Sequence, residues 1–455
     1  MAAVRVIQEI QISSSPSLPA QPPQPLSFLD AMWLQSSTPV ERLFFYDFPH
    51  PLFHFIDHNL PILTNSLSLT LRHFYPLAGS IRPSPNYDNQ FEITCEEDDS
   101  VTITIVEFIG DEFRNISGHH SKNFKNLRLL VPKLTKTSLG GGQFPLISIQ
   151  ITIFPNQGLC IGFAIHHAAC DGSGLMQFIR SWAAACRCTE PTLDDISPPF
   201  LDRSVIINTH GICRKIFEMM RKYKGASGKC LEKQSSLSIS DSNLVFATFT
   251  LNKDQIGLLK ERVQAKRVEE GKPSLHISAF AVTCAYAWRC LVKAQASDGD
   301  IKQYFVCAVD WRARMRPSIP SNYFGNCLGV CMAEVNSRVL VEKNGNEVAA
   351  MEISKSIDAL QGKDVYEALI AVIDRHWEPA RSRRLSVAGS PKFRVYEVDF
   401  GWGRPVKVDI TSIGGTRAIS LVENREEAGG MEIGLVLPEE MMTMFETNFA
   451  TSLLG

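Results

Sequence analysis

The sequence predicts an α/β protein built in more than one part. Segments with strand-like alternation and segments with helix-like spacing of apolar residues occur in both halves of the chain. The chain has 455 residues, a length that suits two or three domains. Hydrophobic residues make up 44% of it, which is enough to build a substantial core.

In the first half, strands are predicted where apolar residues alternate with polar ones or are β-branched, and helices where apolar residues recur every three to four positions. The predicted strands are 4–12, 100–108, 144–154 and 159–167, and the predicted helices are 60–74 and 175–186. A Pro/Ser-rich stretch, 13–25, predicts an extended connection.

The composition changes after Cys188, where Pro, Ser, Asp, Lys and Gly become frequent. We therefore predict an N-terminal domain at 1–190, a long crossover at 191–240 and a C-terminal domain at 241–455. The second half contains predicted strands at 244–251, 304–312, 393–400, 418–423 and 431–437, and predicted helices at 252–267, 278–294, 365–377 and 439–449.

Composition also excludes several classes of protein. The formal net charge is −2 and no block of basic residues occurs, so we do not expect a nucleic-acid partner. The 12 cysteines form no CxxC pair, which disfavours a zinc ribbon and a thioredoxin-type site and fits a reducing compartment. The N-terminus has no signal-peptide pattern, and no apolar run reaches the ~20 residues needed to span a bilayer. A cytoplasmic protein without membrane contact is expected.

The sharpest local signal is HHAACDG, residues 166–172, directly after an apolar strand. A loop at a strand end holds side chains in a rigid but accessible position. An ordinary histidine has a pKa near 6.5 and can accept a proton at neutral pH. His167 is therefore a candidate general base that removes the proton of an alcohol, an effect worth about 10²–10⁴-fold in rate. Taken alone, the pattern also fits two core histidines at the end of a strand.

Asp171 has two interpretations. It could orient the imidazole of His167, as the aspartate of a catalytic triad does. It could instead cap the following helix and pair with an arginine, so that it fixes the shape of the loop. We favour the second, because Gly172-Ser173-Gly174 predicts a tight turn into a helix. The candidate partners are Arg312 and Arg314.

Two further motifs give the histidine pattern its context. YFGNC occupies residues 323–327 and DFGWG occupies residues 399–403, about 230 residues after the histidine. The order HxxxDG, YFGNC, DFGWG in a chain of this length resembles the plant BAHD acyltransferase family. LSFLDAMWL (26–34), FYPLAGSIRP (74–83), VDWRARMRPSIPSNYFGNC (309–327) and SVAGSPKFRVYEVDFGWGRP (386–405) agree with the resemblance, which covers nearly the whole chain.

The resemblance implies two chloramphenicol-acetyltransferase-like domains joined by the crossover, with a solvent channel between them. His167 would lie mid-channel, reached by acyl-CoA from one face and by the acceptor from the other. The family's aspartate, here Asp171, points away from the substrate and pairs with an arginine. The resemblance also implies a monomer with no bound cofactor or metal, and acyl-CoA as co-substrate. The residues expected to support the site structurally are Asp171, Gly172, Asp399, Gly401, Trp402 and Gly403.

The acyl donor is predicted from a smaller set of residues. YFGNC resembles the subgroup that acylates the sugars of anthocyanins and other phenolic glucosides, where malonyl-CoA and hydroxycinnamoyl-CoA are the common donors. Arg180, in FIRSW, is the candidate for a malonyl carboxylate, because its planar guanidinium suits that group. Ser390 and Lys392 are candidates for contacts with CoA. A surface role for Arg180 or Lys392 is the alternative.

Three competing functions remain. A hydroxycinnamoyl transferase on the same acceptors would have an apolar pocket near Arg180, whereas a second cation there would favour malonyl. Condensation domains of peptide synthetases share HHxxxDG, but we do not expect DFGWG in them. A non-catalytic binding homologue is disfavoured by the intact histidine, aspartate and glycine. The donor of a hydrogen bond to the reaction's oxyanion is not evident, and Trp402 is a weak candidate.

Overall fold

The computed structural model describes residues 2–14, 19–34, 39–85, 90–134, 144–207, 243–295, 300–369 and 383–453. Strands and helices alternate in both halves of this part of the chain, which confirms the α/β prediction. Most of the predicted crossover at 191–240 lies outside the described residues.

The first half contributes strands and helices as follows. The strands are β1 (Ala3–Ile12), β2 (Gln21–Pro25), β3 (Val40–Asp47), β4 (Ser80–Pro83), β5 (Phe91–Cys95), β6 (Val101–Ile109), β7 (Lys122–Asn123), β8 (Phe144–Pro145), β9 (Ile147–Phe154) and β10 (Gly158–Ile165). The helices are α1 (Phe28–Ala31), α2 (Leu52–His54), α3 (Leu60–Thr70), α4 (Phe113–Ser117), α5 (Phe124–Arg128) and α6 (Gly172–Arg187), with a π-helical turn at Phe55–Asn59 between α2 and α3.

The second half continues in the same way. Its strands are β11 (Leu244–Leu251), β12 (Lys302–Asp310), β13 (Leu328–Asn336), β14 (Arg384–Ala388), β15 (Lys407–Asp409), β16 (Ala418–Glu423) and β17 (Met431–Pro438). Its helices are α7 (Lys253–Glu269), α8 (Ala279–Ala294), α9 (Ser337–Val341), α10 (Gly345–Asp358) and α11 (Glu439–Thr451). Residues 365–369 of the predicted helix 365–377 are helical, and the remainder lies outside the described residues.

Each half is built on its own main sheet. Within the described ranges, the first sheet has the strand order β1-β6-β9-β10-β3-β15 and the second has the order β13-β12-β14-β16-β17-β11-β7. A smaller sheet, β2-β5-β4-β8, lies beside the first. The central strands β9 and β10 are buried at every residue, as expected for apolar strands covered on both faces.

The two halves exchange one strand each. β15 belongs to the second half but pairs with β3 of the first sheet, where Val408 lies opposite Phe44. β7 belongs to the first half but pairs with β11 of the second sheet, where Lys122 lies opposite Phe246. The predicted domain limits remain a prediction, and these pairings show that each sheet is completed by the other half.

α6 carries the region after the histidine motif into the core. Its first residues follow the fully buried strand β10, and its apolar side faces the first sheet and α3. Trp182 of α6 is completely buried, and its indole nitrogen donates a hydrogen bond to the carbonyl of Leu63 at 3.1 Å. Because so large a side chain is buried with its polar atom satisfied, α6 is a rigid support for the loop that precedes it.

Two local predictions were wrong. Residues 393–400 do not form a strand: 3₁₀ turns occupy Pro391–Phe393 and Val395–Glu397 instead. Arg394 between them has a φ of 48°, which no regular strand can accommodate. The stretch 13–25 is not only a connection, because its last residues form β2.

No helix in the described part of the chain is long and apolar enough to cross a membrane. The ten cysteines in this part are all free thiols.

Candidate active site

The histidine motif lies at the end of a strand that is buried at every residue. β10 ends at Ile165, His166 and His167 follow at once, and α6 begins at Gly172. The amide of His166 donates to the carbonyl of Leu146 at 2.8 Å, and the amide of Ala169 donates to the carbonyl of His166 at 2.9 Å. These bonds fix the backbone of the loop on the first sheet.

The imidazole of His167 is held between two groups. One face stacks on the indole of Trp33, with ring centroids 3.6 Å apart and an angle of 7° between the planes. At its edge, Nδ1 lies 3.1 Å from Oδ1 of Asn326. Asn326 belongs to YFGNC in the second half of the chain, so the site forms where the two halves meet.

The hydrogen bonds of Asn326 identify the protonated nitrogen of His167. Nδ2 of Asn326 donates to the carbonyl of His167 at 2.8 Å and to Oδ1 of Asp30 at 2.9 Å, which uses both of its hydrogens. Oδ1 of Asn326 is therefore the atom that faces His167, and it can only accept. Nδ1 of His167 carries the proton, and Nε2 carries the free lone pair of a base.

Burial lowers the pKa of His167 below that of an ordinary histidine, and a hydrogen bond to its own backbone carbonyl, the negative charges of Asp171 and Asp30 and the bond to Asn326 oppose that decrease. Burial lowers the pKa of the neighbouring His166 to about 4, with a smaller contribution from His167. Nδ1 of His166 accepts a hydrogen bond from the amide of Ala168 at 3.2 Å. His166 is therefore a neutral residue that shapes the loop.

Asp171 acts on the loop and on the opposite half of the chain. Its Oδ1 accepts hydrogen bonds from the amides of Ser173 and Gly174, both at 3.1 Å, and so caps α6. Its two oxygens also face Arg312, at 2.8 and 3.0 Å, in a bidentate ion pair. Arg314, the other predicted partner, donates to the carbonyl of Asp310 instead.

The residues of DFGWG form a turn away from the imidazole. Oδ1 of Asp399 accepts hydrogen bonds from the amides of Gly401 at 2.7 Å and Gly403 at 2.9 Å. Gly401 and Gly403 have φ values of 107° and 81°, a region that favours glycine. Trp402 packs edge-on against Tyr46 and against Phe48, not against His167.

Three predicted donor-site residues lie around one turn. Ser390 caps the 3₁₀ turn Pro391–Phe393 by accepting from the amide of Lys392 at 3.3 Å. The ring of Phe393 lies against the start of α6, where a Cβ on Gly172 would come within 2.6 Å of it. Arg180 lies further along α6 and donates a hydrogen bond to the carbonyl of Phe393. The structure thus brings Arg180 together with the turn that holds Ser390 and Lys392.

A second arginine lies in the same place. Arg42 of β3 is 2% exposed, and its guanidinium is 5.7 Å from the ring centroid of Phe393. Its pKa is lowered to about 10, mainly by burial and further by the positive charge of Arg180, while Glu423 opposes the decrease. Nη1 of Arg42 donates to the sulfur of Met176 at 2.6 Å, Nε has no hydrogen-bond partner, and no ion pair joins Arg42 to a carboxylate among the described residues.

Three residues of this site were not predicted from the sequence. Asn326 and Trp33 lie in stretches that carry the family resemblance, and Arg42 lies outside all of the motifs. A signal for Asn326 existed, because an asparagine in an otherwise apolar YFGNC must satisfy its amide when buried. No group of three or more potential metal ligands occurs in the residues that the structure describes.

The chain is similar to known proteins over nearly its whole length. Residues 2–452 match the Transferase family. The chain is 37% identical over 423 residues to phenolic glucoside malonyltransferase 2 of Arabidopsis thaliana, covering 92% of this chain and 91% of the relative. It is 33% identical over 455 residues to malonyl-coenzyme A:anthocyanin 3-O-glucoside-6''-O-malonyltransferase of Dahlia pinnata, covering 97% and 95%.

The chain belongs to the BAHD acyltransferase family. It is an acyl-CoA-dependent acyltransferase, and the resemblance noted from the motifs is confirmed. Among solved structures, vinorine synthase has the same fold, with a TM-score of 0.71 at 22% identity over 99% of this chain and 98% of that one. This BAHD acyltransferase therefore has the two-part fold expected from its motifs.

Proposed function

We propose that this BAHD acyltransferase moves a malonyl group from malonyl-CoA to a sugar hydroxyl of a flavonoid, anthocyanin or other phenolic glucoside, with His167 as general base. The observation that carries the proposal is the contact between Nδ1 of His167 and Oδ1 of Asn326, which leaves Nε2 unprotonated. The similarity to phenolic glucoside and anthocyanin malonyltransferases supports the choice of donor and acceptor.

The proposed acyl transfer uses the unprotonated Nε2 of His167. Nε2 of His167 takes the proton of the acceptor hydroxyl while the oxygen attacks the thioester carbonyl carbon. The C–O bond forms and a tetrahedral oxyanion develops on the former carbonyl oxygen. When the oxyanion collapses, the C–S bond breaks and the CoA thiolate takes the proton from Nε2. No covalent acyl-enzyme is needed, and His167 ends the cycle in its starting tautomer.

The imidazolium that exists between these two proton transfers is stabilised by its surroundings. Its Nδ1–H remains bonded to Asn326, and the charges of Asp171 and Asp30 raise the pKa of His167. Burial acts in the opposite direction and keeps the resting histidine neutral. We assign Asp171, Gly172, Asp399, Gly401, Trp402 and Gly403 to the support of the site and not to the reaction.

Two arginines support malonyl as the acyl group. Arg180 is half-buried and lies beside the Phe393 turn, and Arg42 adds a second positive charge there. A carboxylate on the acyl group would offer these guanidinium groups the anionic partner that Arg42 lacks among the described residues. A second cation beside Arg180 is the feature expected for malonyl, whereas an apolar pocket would suit a hydroxycinnamoyl group.

We assign Ser390 and Lys392 to the binding of CoA, because their turn packs against the start of α6 next to Arg180. Lys392 is exposed and can offer a point charge to a phosphate. We further propose that the protein acts as a monomer in the cytosol. The free thiols of the described cysteines support a reducing compartment.

The proposal is tested by a competition between donors. The purified protein is incubated with a flavonoid glucoside and equal concentrations of malonyl-CoA and p-coumaroyl-CoA, and the product masses are measured. We expect a malonylated glucoside that is absent with His167→Ala. A coumaroylated product would keep the acyltransferase and its base but remove the carboxylate role from Arg180. No product with any phenolic glucoside would contradict the proposed acceptor.

A further inference from the structure

Asp30 is a buried carboxylate that reaches both halves of the molecule. It is completely buried in α1, where it forms a capping box with Ser27. Its Oδ2 accepts hydrogen bonds from the amide of Ser27 at 3.0 Å and from the Ser27 hydroxyl at 2.6 Å. Nη1 of Arg203 lies 2.6 Å from the same oxygen in a buried ion pair.

The other oxygen of Asp30 holds Asn326. Oδ1 accepts from the backbone amide of Asn326 at 2.8 Å and from its Nδ2 at 2.9 Å. Asn326 is completely buried, so no water can replace these contacts. Asp30 is therefore hydrogen-bonded to Asn326, which in turn contacts His167. Among the described residues, no hydrogen bond joins Asp30 to His167 directly.

This arrangement decides which way the Asn326 amide points. If the amide rotated by half a turn, its oxygen would face Oδ1 of Asp30 and the carbonyl of His167, and two acceptor–acceptor contacts would replace two hydrogen bonds. The amide nitrogen would then face Nδ1 of His167 and donate to it. That hydrogen bond would favour the tautomer with the proton on Nε2, which cannot act as the base.

Arg203 completes the assembly from the start of the crossover. Its Nη2 donates to the carbonyl of Ala169 in the histidine loop at 2.7 Å, while Nη1 pairs with Asp30. The guanidinium is buried, and Asp30 is the carboxylate that balances its charge. Asp30 and Arg203 thus connect α1, the histidine loop and Asn326 through contacts that all avoid the reacting nitrogen.

We propose that Asp30, paired with Arg203, is a positioning residue that sets the tautomer of His167 by fixing the orientation of the Asn326 amide. This role rests on the proposed function of His167 as the base. Asp30 acts through Asn326 and touches no reacting atom. The negative charge of Asp30 also favours His167 as the base, because it raises the pKa of His167, as the charge of Asp171 does.

The test is a double-mutant cycle with Asn326→Asp. An aspartate at 326 has two acceptor oxygens, so it can receive the Nδ1 proton of His167 in either orientation. In the wild-type background we expect Asp30→Ala to lower kcat about 10- to 100-fold with little change in KM, by analogy with the loss of a partner that orients a metal-bound histidine. In the Asn326→Asp background, Asp30→Ala should leave kcat unchanged or raise it, because it removes the repulsion between two carboxylates.

Two comparisons keep the result interpretable if Asp30→Ala folds poorly. Asp30→Ala/Arg203→Met removes the buried ion pair as a unit and avoids an unpaired guanidinium. Asp195→Ala is the matched control, since Asp195 forms the same capping box with Thr192, at 2.8 Å to both its amide and its hydroxyl, on an exposed turn. Thermal unfolding of each variant establishes that the measured protein is folded.

The outcomes separate this role from the proposed function. Equal losses from Asp30→Ala in both backgrounds would mean that Asp30 only stabilises the fold, and the proposal would be overturned. In the supporting case, the acid limb of the pH profile of kcat/KM in folded Asp30→Ala also moves to lower pH, because a favourable charge near His167 is lost. If His167→Ala itself keeps full activity, the proposed function fails, whatever Asp30→Ala does.

Discussion

The two carboxylate oxygens of Asp171 face two nitrogens of Arg312, at 2.8 and 3.0 Å, across 141 residues of sequence. Both side chains are almost completely buried. The aspartate of the HxxxD pattern is therefore engaged with the second half of the chain and with the cap of α6, and it forms no hydrogen bond with His167 among the described residues. Asn326 takes the place that a triad aspartate would occupy beside the imidazole.

The first prediction concerns this ion pair. Asp171→Ala leaves Arg312 buried without its main partner and should lower the free energy of unfolding by about 3–5 kcal/mol. Asp171→Ala/Arg312→Met should recover part of that loss, because both charges are gone. Urea denaturation measures the difference. Arg314→Ala, which removes a backbone contact near the surface, should change stability by about 0.5 kcal/mol or less.

A different result would change the role of Asp171. If Asp171→Ala kept wild-type stability but lowered kcat strongly, the aspartate would act on the imidazole directly, as in a triad.

The second prediction concerns pH. His167 must be neutral to act as the base, and burial lowers its pKa below the 6.5 of an ordinary histidine. Activity should therefore persist as the pH falls through 6.5 and decline only at lower pH, when His167 becomes protonated. The pH dependence of kcat/KM measures this pKa in the free enzyme.

Trp33 provides the matched variant for that measurement. Its indole covers one face of the imidazole, so Trp33→Ala should hydrate His167 and move the acid limb toward 6.5. Trp402→Leu, at a position that packs on Tyr46 and Phe48, should leave the acid limb in place. A wild-type midpoint at or above 6.5 would contradict the effect of burial.

The third prediction concerns the donor. Arg180→Ala should weaken kcat/KM for malonyl-CoA about 10- to 100-fold, the range expected when a hydrogen bond to a charged group is lost. Acetyl-CoA has no carboxylate, so the kcat/KM for acetyl-CoA should change by less than about threefold. Arg187→Ala is the control: Arg187 lies on the same helix but donates to the carbonyl of Asp399. Equal losses with both donors would assign Arg180 to CoA itself.

The fourth prediction concerns DFGWG. Asp399→Ala removes the acceptor of two amide hydrogen bonds and should cost about 1–2 kcal/mol of stability, as loss of a capping side chain does. Asp399→Asn keeps an acceptor oxygen and should be close to wild type. Thermal unfolding measures both. A folded Asp399→Ala variant should retain its kcat, and a loss of turnover without a loss of stability would make Asp399 a participant in the reaction.

The sequence predicted the fold class and most of the regular elements because their patterns are local. The alternation in β6 and the continuous apolar runs of β9 and β10 reflect which faces are buried, so they are visible without the structure. The strand predicted at 393–400 was wrong. The apolar side chains of this segment are buried, but its backbone forms two 3₁₀ turns around Arg394, a conformation that the residue types do not reveal.

The site was only partly predictable for a related reason. His167 and Asp171 stand four residues apart, and their spacing carries information. The contacts of His167 with Asn326 and Trp33 join positions far apart in sequence, and they depend on how the two halves meet. Arg42 lies in an apolar strand where only the structure reveals a buried charge beside Arg180.

The measurement that tests the central claim most directly is the turnover of His167→Ala with malonyl-CoA and a phenolic glucoside, together with the Kd for malonyl-CoA. We predict that turnover falls about 10²–10⁴-fold while the Kd stays within about threefold of wild type. Added imidazole should restore part of the activity by occupying the space between Trp33 and Asn326. Turnover within about tenfold of wild type would show that His167 is not the base.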